Sequence, residues 1–174
     1  MPQEVDKINQ KILTFSELKK VSTGWSAQQE RVVFTNGCFD VLHHGHVEYL
    51  AKSADKGDRL VVGVNSDYSV KQLNKAPERP INTANSRAFL IAALSFVDAV
   101  VVFDEITPYN LIKQLNPQVL VKGADYDASE IDPNSSKYIV GSDLIRKNGG
   151  EIHTIELKKG YSTSQIINKI KRGN

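Results

Sequence analysis

Apolar positions in this chain follow two rhythms. Short, nearly unbroken runs of β-branched and aliphatic residues occur at Arg31–Phe34 (RVVF), Arg59–Val64 (RLVVGV), Ala99–Phe103 (AVVVF), Val119–Val121 (VLV) and Glu151–Ile155 (EIHTI). Runs of this length without polar alternation predict strands covered on both faces. Between them, apolar residues recur at helical spacing. From His44 to Lys56, the residues Val47, Leu50, Ala51 and Ala54 share one stripe, and Asn85–Leu94 runs from a polar start into FLIAAL. Thr107-Pro108 reads as an N-cap followed by proline at the first helical position, ahead of YNLIKQL. A last helix is predicted from Ser162-Thr163 through QIINKIKR, with cations gathered toward its end.

Strands alternating with helices predict an α/β fold, a Rossmann-like, doubly wound, five-stranded parallel sheet. In such a sheet a ligand lies beyond the carboxyl ends of the strands, where the strand order reverses. Residues 1–28 read as a polar helical preface, with Ile12, Leu13, Phe15 and Leu18 able to pack on a domain edge, and 29–174 as the principal domain. No repeat, low-complexity tract or Pro/Gly/Ser linker divides the chain.

Composition narrows the setting. With 174 residues and 40% hydrophobic content, the chain can bury a core without disulfides or a structural metal. A net charge of +2 gives no general signal for nucleic acid. The single cysteine, Cys38, fits a reducing compartment, the N-terminus MPQEVDKINQKIL lacks the apolar stretch of a signal peptide, and no apolar run is long enough to span a bilayer. A cytoplasmic protein without a membrane partner is expected.

The candidate chemistry sits after the first predicted strand, in FTNGCFDVLHHGHVEYL. A turn through Asn36-Gly37 leads toward a helix start, where His43 and His46, three apart, would share one face. Gly45 between them would let a ligand approach the backbone. Free N–H groups at a helix start attract phosphate, and a polyphosphate would favour charged imidazoles that the helix dipole alone disfavours. Two other readings stand beside a phosphate cradle: histidines that merely cap and solvate a helix end, and a zinc site. Zinc is disfavoured because neighbouring His44 diverges around the helix and no carboxylate or thiol stands at an established ligand spacing.

NGCFDVLHHGH resembles the signature of the HxGH nucleotidyltransferase superfamily, in which a G-x-F-D turn precedes H-x-G-H. At the other end of the chain, GYSTSQII (Gly160–Ile167) is similar to that superfamily's serine–threonine element. TNGCFDVLHHGHVEYL, GDRLVVGVNSD, RPIN, NSRAFLIAAL, VDAVVVFDE, VLVKGADY, NGGEIHTIEL and GYSTSQII together resemble the D-glycero-β-D-manno-heptose 1-phosphate adenylyltransferase family. The resemblance implies a nucleotidyltransferase domain over 29–174 that couples ATP to a sugar 1-phosphate and releases pyrophosphate, in lipopolysaccharide core synthesis. It implies phosphate-handling residues His43, His46, Lys75 and Arg87. Thr35, Asn36, Gly37, Cys38, Phe39, Asp40, Gly45, Lys122, Gly123, Ser162, Thr163 and Ser164 would border the nucleotide. Asp67, Lys71, Arg79, Asp125 and Tyr126 are the sugar-phosphate candidates. Magnesium would arrive on the ATP phosphates with its waters, so no metal cage of protein side chains is expected. No nucleic-acid partner is implied, and a homodimer is compatible.

The chain departs from the family pattern in a longer stretch, SEIDPNSSKY, which reads as a surface loop, and in offering Lys158 and Lys159 where related cytidylyltransferases carry an arginine. A cytidylyltransferase acting on glycerol 3-phosphate or a similar alcohol phosphate is the alternative enzyme. A nucleotide-binding sensor is the alternative outside enzymes, and the intact histidine and serine–threonine elements count against it.

Overall fold

A computed structural model describes residues 3–73 and 77–173 of the chain. Its sheet is parallel and five-stranded: β1 (Val32–Gly37), β2 (Arg59–Asn65), β3 (Ala99–Phe103), β4 (Val119–Gly123) and β5 (Glu151–Ile155), in spatial order β3-β2-β1-β4-β5. The chain winds outward from β1 to β3, then returns to β4 on the other side of β1. The strand order therefore reverses between β1 and β4, which makes the carboxyl ends of those two strands the switch point of a doubly wound fold. All five strands fall where the apolar runs predict them.

Successive strand side chains serve opposite faces, and both faces are covered. Val33, Val62, Val64, Val119 and Val121 pack with Tyr49 and Leu50 of α3 (His44–Ala54) and with Ala88 and Ile91 of α5 (Ala84–Ala92). Val32, Phe34, Val61 and Leu120 pack on the other side with three further helices. These contribute Leu18 from α2 (Phe15–Ala27), Leu111 and Ile112 from α6 (Tyr109–Leu115), and Ile145 from α7 (Ser142–Lys147). Double burial is the physical reason that β1 to β4 show no polar alternation, whereas edge strand β5, EIHTI, alternates and is exposed at Glu151 and Thr154.

The preface is joined to this core. Between α1 (Glu4–Asn9) and α2, the backbone at residues 11–13 pairs with β3: Val100 N–H donates to Lys11 O and Leu13 N–H to Val100 O, both at 2.8 Å. That pairing covers an otherwise open sheet edge, and Leu18 is fully buried. Thr14 and Glu17 form a reciprocal capping box at the start of α2.

Two local features differ from the sequence expectations, and the expected loop is present. Helix α6 begins at Tyr109 with Pro108 at the N-cap position, so Thr107 does not cap it. The six-residue helices α4 (Asp67–Gln72) and α7 lie in stretches too short to display a stripe. The 127–137 loop is irregular but held, with Arg146 Nη2 donating to Ala128 O and Glu130 O at 2.7 and 2.9 Å. Among the described residues no helix is long and apolar enough to cross a membrane.

Candidate functional site

A cavity of about 810 Å³ opens at the carboxyl ends of β1 and β4. The turn after β1 supplies its floor. Phe39 adopts a left-handed backbone (φ 46°), and its ring lies close enough to Gly37 that a Cβ there would come within 3.1 Å of it. Phe39 also meets the His46 ring edge-on, with centroids 5.3 Å apart. The turn thus brings α3 in at a fixed angle.

The two histidines reach their positions differently from the sequence expectation. His43 is not helical: it is the N-cap of α3, extended at φ −143°, and its Nδ1 accepts from His46 N–H at 3.3 Å. An Nδ1 that accepts leaves the neutral ring's proton on Nε2. The rings nonetheless stack, with centroids 3.7 Å apart and planes 18° from parallel. His46 lines the cavity, and His43 stacks on it. Gly45 is closely packed by the protein itself, since a Cβ there would sit 3.2 Å from both the His43 ring and Tyr161 Cβ. Close approach at Gly45 therefore brings together the start of α3 and the segment before α8 (Thr163–Arg172).

Burial lowers the His43 pKa from the ordinary 6.5 by disfavouring the cation. The unfolded chain then takes up this proton at higher pH than the folded one. The ring's contribution to stability is complete above 6.5 and is lost as pH falls through 6.5 toward the lower folded pKa. A bound polyphosphate favours the cation and opposes that shift. Pyrophosphate binding near pH 6.5 is therefore expected to draw more protons into wild type than into His43→Asn, which keeps a capping acceptor without a titrating ring. Calorimetry in buffers of different ionisation heat measures the difference, and equal uptake by the two proteins contradicts it.

Helix α8 brings the second set of donors. Ser162 is its N-cap and accepts from Gln165 N–H at 3.1 Å, while Thr163 and Ser164 line the cavity. Its start is held against α3 by Glu48, which pairs with Lys158 at 3.0 Å and Lys52 at 2.8 Å; these lysines lower its pKa to about 2. Lys158 is thus tied to α3, and neither it nor exposed Lys159 lines the cavity. Two helix N-termini, α3 and α8, converge on one concave site.

On the β4 side, Lys122 donates to Asn36 Oδ1 at 2.6 Å and lies 5.6 Å from the Tyr126 ring centre. A Cβ at Gly123 would fall 2.5 Å from Asp125 Oδ1, so a side chain there would displace the Asp125 carboxylate. Asp125 and Tyr126 both line the cavity, and burial with the Asp125 charge raises the Tyr126 pKa. Thr35 lies beneath the floor, fully buried and hydrogen-bonded at 2.7 Å to the Tyr49 hydroxyl.

Several expected cations are placed elsewhere. Arg87 is fully buried and spends its guanidinium on Asn82 O (2.9 Å), Cys38 O (2.6 Å) and Asp67 Oδ1 (2.8 Å). Asp67 is therefore its partner rather than a cavity-lining group. Lys71 is exposed on α4 away from the lining, and Lys75 lies outside the described residues. Arg79 lines the cavity, paired with buried Asp40. Sequence reasoning missed Tyr49, Asn65 and Thr107, which also line it. Tyr49 stands three residues after His46 on α3, Asn65 ends β2 and Thr107 follows β3, so the helical and strand-end rules could have found them.

Among the described residues no group of three or more His, Cys, Asp or Glu side chains is arranged to hold a metal. Of the lining carboxylates, Asp40 is engaged by Arg79 and backbone donors and Glu78 by Lys171, which leaves Asp125. That set suits a cation carried in on phosphate oxygens rather than one held by the protein alone.

Comparison with known proteins places this geometry in context. Residues 34–169 match the family described as cytidylyltransferase-like. The chain is 47% identical over 161 residues to the bifunctional protein HldE of Wolinella succinogenes and 50% identical over 161 residues to that of Campylobacter fetus, in each case covering 92% of this chain and 31% of the relative. It thus spans about a third of the length of these relatives. A lipopolysaccharide core biosynthesis protein from Thermoplasma volcanium superposes with a TM-score of 0.57 at 29% identity, covering 76% of this chain and 99% of that one. A pantoate-β-alanine ligase from Francisella tularensis shares the fold at a TM-score of 0.60 and 14% identity, over 92% of this chain and 77% of its own.

Proposed function

The chain belongs to the cytidylyltransferase-like family, and from that premise we propose that it transfers AMP from ATP to D-glycero-β-D-manno-heptose 1-phosphate. The products are ADP-heptose and pyrophosphate, for lipopolysaccharide core synthesis. The observation that carries the reading is the convergence of the stacked His43–His46 pair at the start of α3 with Thr163 and Ser164 at the start of α8, in one cavity at the strand switch point.

A phosphate oxygen of the sugar attacks the α-phosphorus of ATP in line, the bond to the bridging oxygen breaks, and pyrophosphate leaves with the electron pair. No covalent enzyme intermediate is required, so catalysis consists of positioning and of stabilising charge on the departing phosphates. His46 faces that charge from the cavity wall, and His43 stacks against it and offers Nε2–H. The helix N-termini and the hydroxyls of Thr163 and Ser164 supply further donors. Lys122, Asp125 and Tyr126 border the remaining space with polar groups suited to a nucleoside or a polyhydroxyl sugar. Magnesium carried by the ATP phosphates would neutralise part of their charge.

The relatives named HldE and the solved lipopolysaccharide core biosynthesis protein support the sugar assignment. Polar groups matched to one base and one sugar are left unpaired by the wrong partner, which penalises it in a desolvated pocket. With heptose 1-phosphate, kcat/KM for ATP should therefore exceed that for CTP by about 10²-fold or more. Pyrophosphate release measured for each nucleotide with each acceptor tests this. If CTP with glycerol 3-phosphate were the best pair, the heptose assignment would fall while nucleotidyl transfer stood.

A further inference from the structure

One wall of the cavity is formed by a segment outside every helix and strand, through Glu78 and Arg79. It is pinned from two sides. Glu78 accepts from Lys171, near the far end of α8, at 2.5 Å. Asp40, in the turn after β1, accepts from Ile81 N–H at 2.7 Å and Asn82 N–H at 2.9 Å and pairs with Arg79 Nε. The Asp40 side chain is fully buried and that of Arg79 is only 9% exposed.

Burial without full use distinguishes Arg79 from the chain's other buried arginine. Arg87 gives Nε and both terminal nitrogens to protein acceptors. Arg79 gives Nε to Asp40, and among the described residues its terminal nitrogens meet no acceptor. A guanidinium has five donors in a rigid fork, so a carboxylate on Nε fixes the plane of the fork and leaves the rest available. The neighbouring carboxylates, Asp40 and Glu78, are already engaged, so the fork of cavity-lining Arg79 is open to an anion brought in by a ligand.

We propose that Asp40 is a positioning residue that presents Arg79 to a phosphate group of a bound substrate, with Arg79 as the binding residue. The inference rests on the phosphate-handling reading above and assigns to this pair a role which that reading leaves open. The turn after β1 then has two duties: its backbone forms the cavity floor, and its buried carboxylate aims a cation across the cavity.

Three variants test the pair. Arg79→Gln removes the charge. Arg79→Lys keeps the charge without the fork. Asp40→Asn still accepts from Ile81 and Asn82 but turns an amide toward Arg79. In Arg79→Gln and Asp40→Asn, KM for one phosphate-bearing substrate is expected to rise about 10-fold or more while kcat changes less than about 3-fold, with Arg79→Lys recovering part of the loss. A rise confined to ATP, with weaker calorimetric binding of inorganic pyrophosphate, assigns Arg79 to the polyphosphate. A rise confined to the sugar phosphate assigns it to the acceptor. The Asp40→Asn/Arg79→Gln double variant should bind no worse than Arg79→Gln alone, since Asp40 acts through Arg79. Should Asp40→Asn fail to fold, as thermal melts would show, the two Arg79 variants carry the test. Wild-type KM values and wild-type pyrophosphate binding in Arg79→Gln would overturn the proposal, as would additive effects in the double variant. Wild-type protein that neither binds pyrophosphate nor transfers a nucleotidyl group would instead overturn the proposed function, and this inference with it.

Discussion

Replacing His46 with alanine is expected to lower kcat by about 10²-fold or more, because a preorganised donor facing developing phosphate charge is removed. The structure makes His46 the cleaner of the two histidine tests. Its side chain lines the cavity, touches the rings of His43 and Phe39, and is only half-buried. Truncation should therefore cost no more than about 1 kcal/mol of stability. His43 has a second duty, because its Nδ1 caps α3. His43→Ala would mix a lost donor with a lost cap worth about 1 kcal/mol. His43→Asn retains a capping acceptor, so a fall in kcat with an unchanged melting temperature isolates the catalytic part. Steady-state kinetics beside thermal melts decide the matter: near-normal turnover in both His46→Ala and His43→Asn would remove the basis of the phosphate cradle.

The sheet was legible because β1 to β4 are buried on both faces, and VVF, LVVGV and AVVVF leave no alternative pattern. The start of α8 was legible because Ser162-Thr163 read as a helix start ahead of QIINKIKR, whereas α6 starts one residue later than its apparent cap implies and His43 is the cap of α3 rather than part of its first turn. The fate of the charged side chains was not legible. Arg87 and Asp67 read in sequence as groups facing substrate, because sequence displays charge without burial, and the pairing of cavity-lining Arg79 with Asp40 was equally hidden. Their partners are remote in the chain: Asp40 lies 39 positions before Arg79, and Asp67 lies 20 before Arg87. Only the return of the segment after α4 to the turn after β1 brings them together. The converse holds for Tyr49, which sequence left unassigned and which lines the cavity. The tight turn after β1 rotates α3 so that the edge of its apolar stripe, His46 and Tyr49, faces the cavity.

The second large effect is expected at Arg87, and it is an effect on folding. Its guanidinium is fully buried at the junction of three segments: Cys38 O in the turn after β1, Asn82 O before α5, and Asp67 at the start of α4. Arg87→Met keeps most of the apolar volume but leaves two carbonyls without donors in a site closed to water, beside an unpaired carboxylate. Breaking a buried pair from one side costs about 3–5 kcal/mol, and the partial exposure of Asp67, 41% at its side chain, moves the expectation toward the lower end. Urea denaturation should show that loss with an unchanged m-value. Asp67→Asn should cost much less, about 1 kcal/mol, because the amide oxygen still accepts from Arg87. Arg87→Met combined with Asp67→Leu should recover part of the loss, since no carboxylate is then left unpaired beside the apolar replacement. The opposite pattern, a stable Arg87→Met protein with abolished turnover, would place the guanidinium on substrate and not in the frame that holds the cavity's walls.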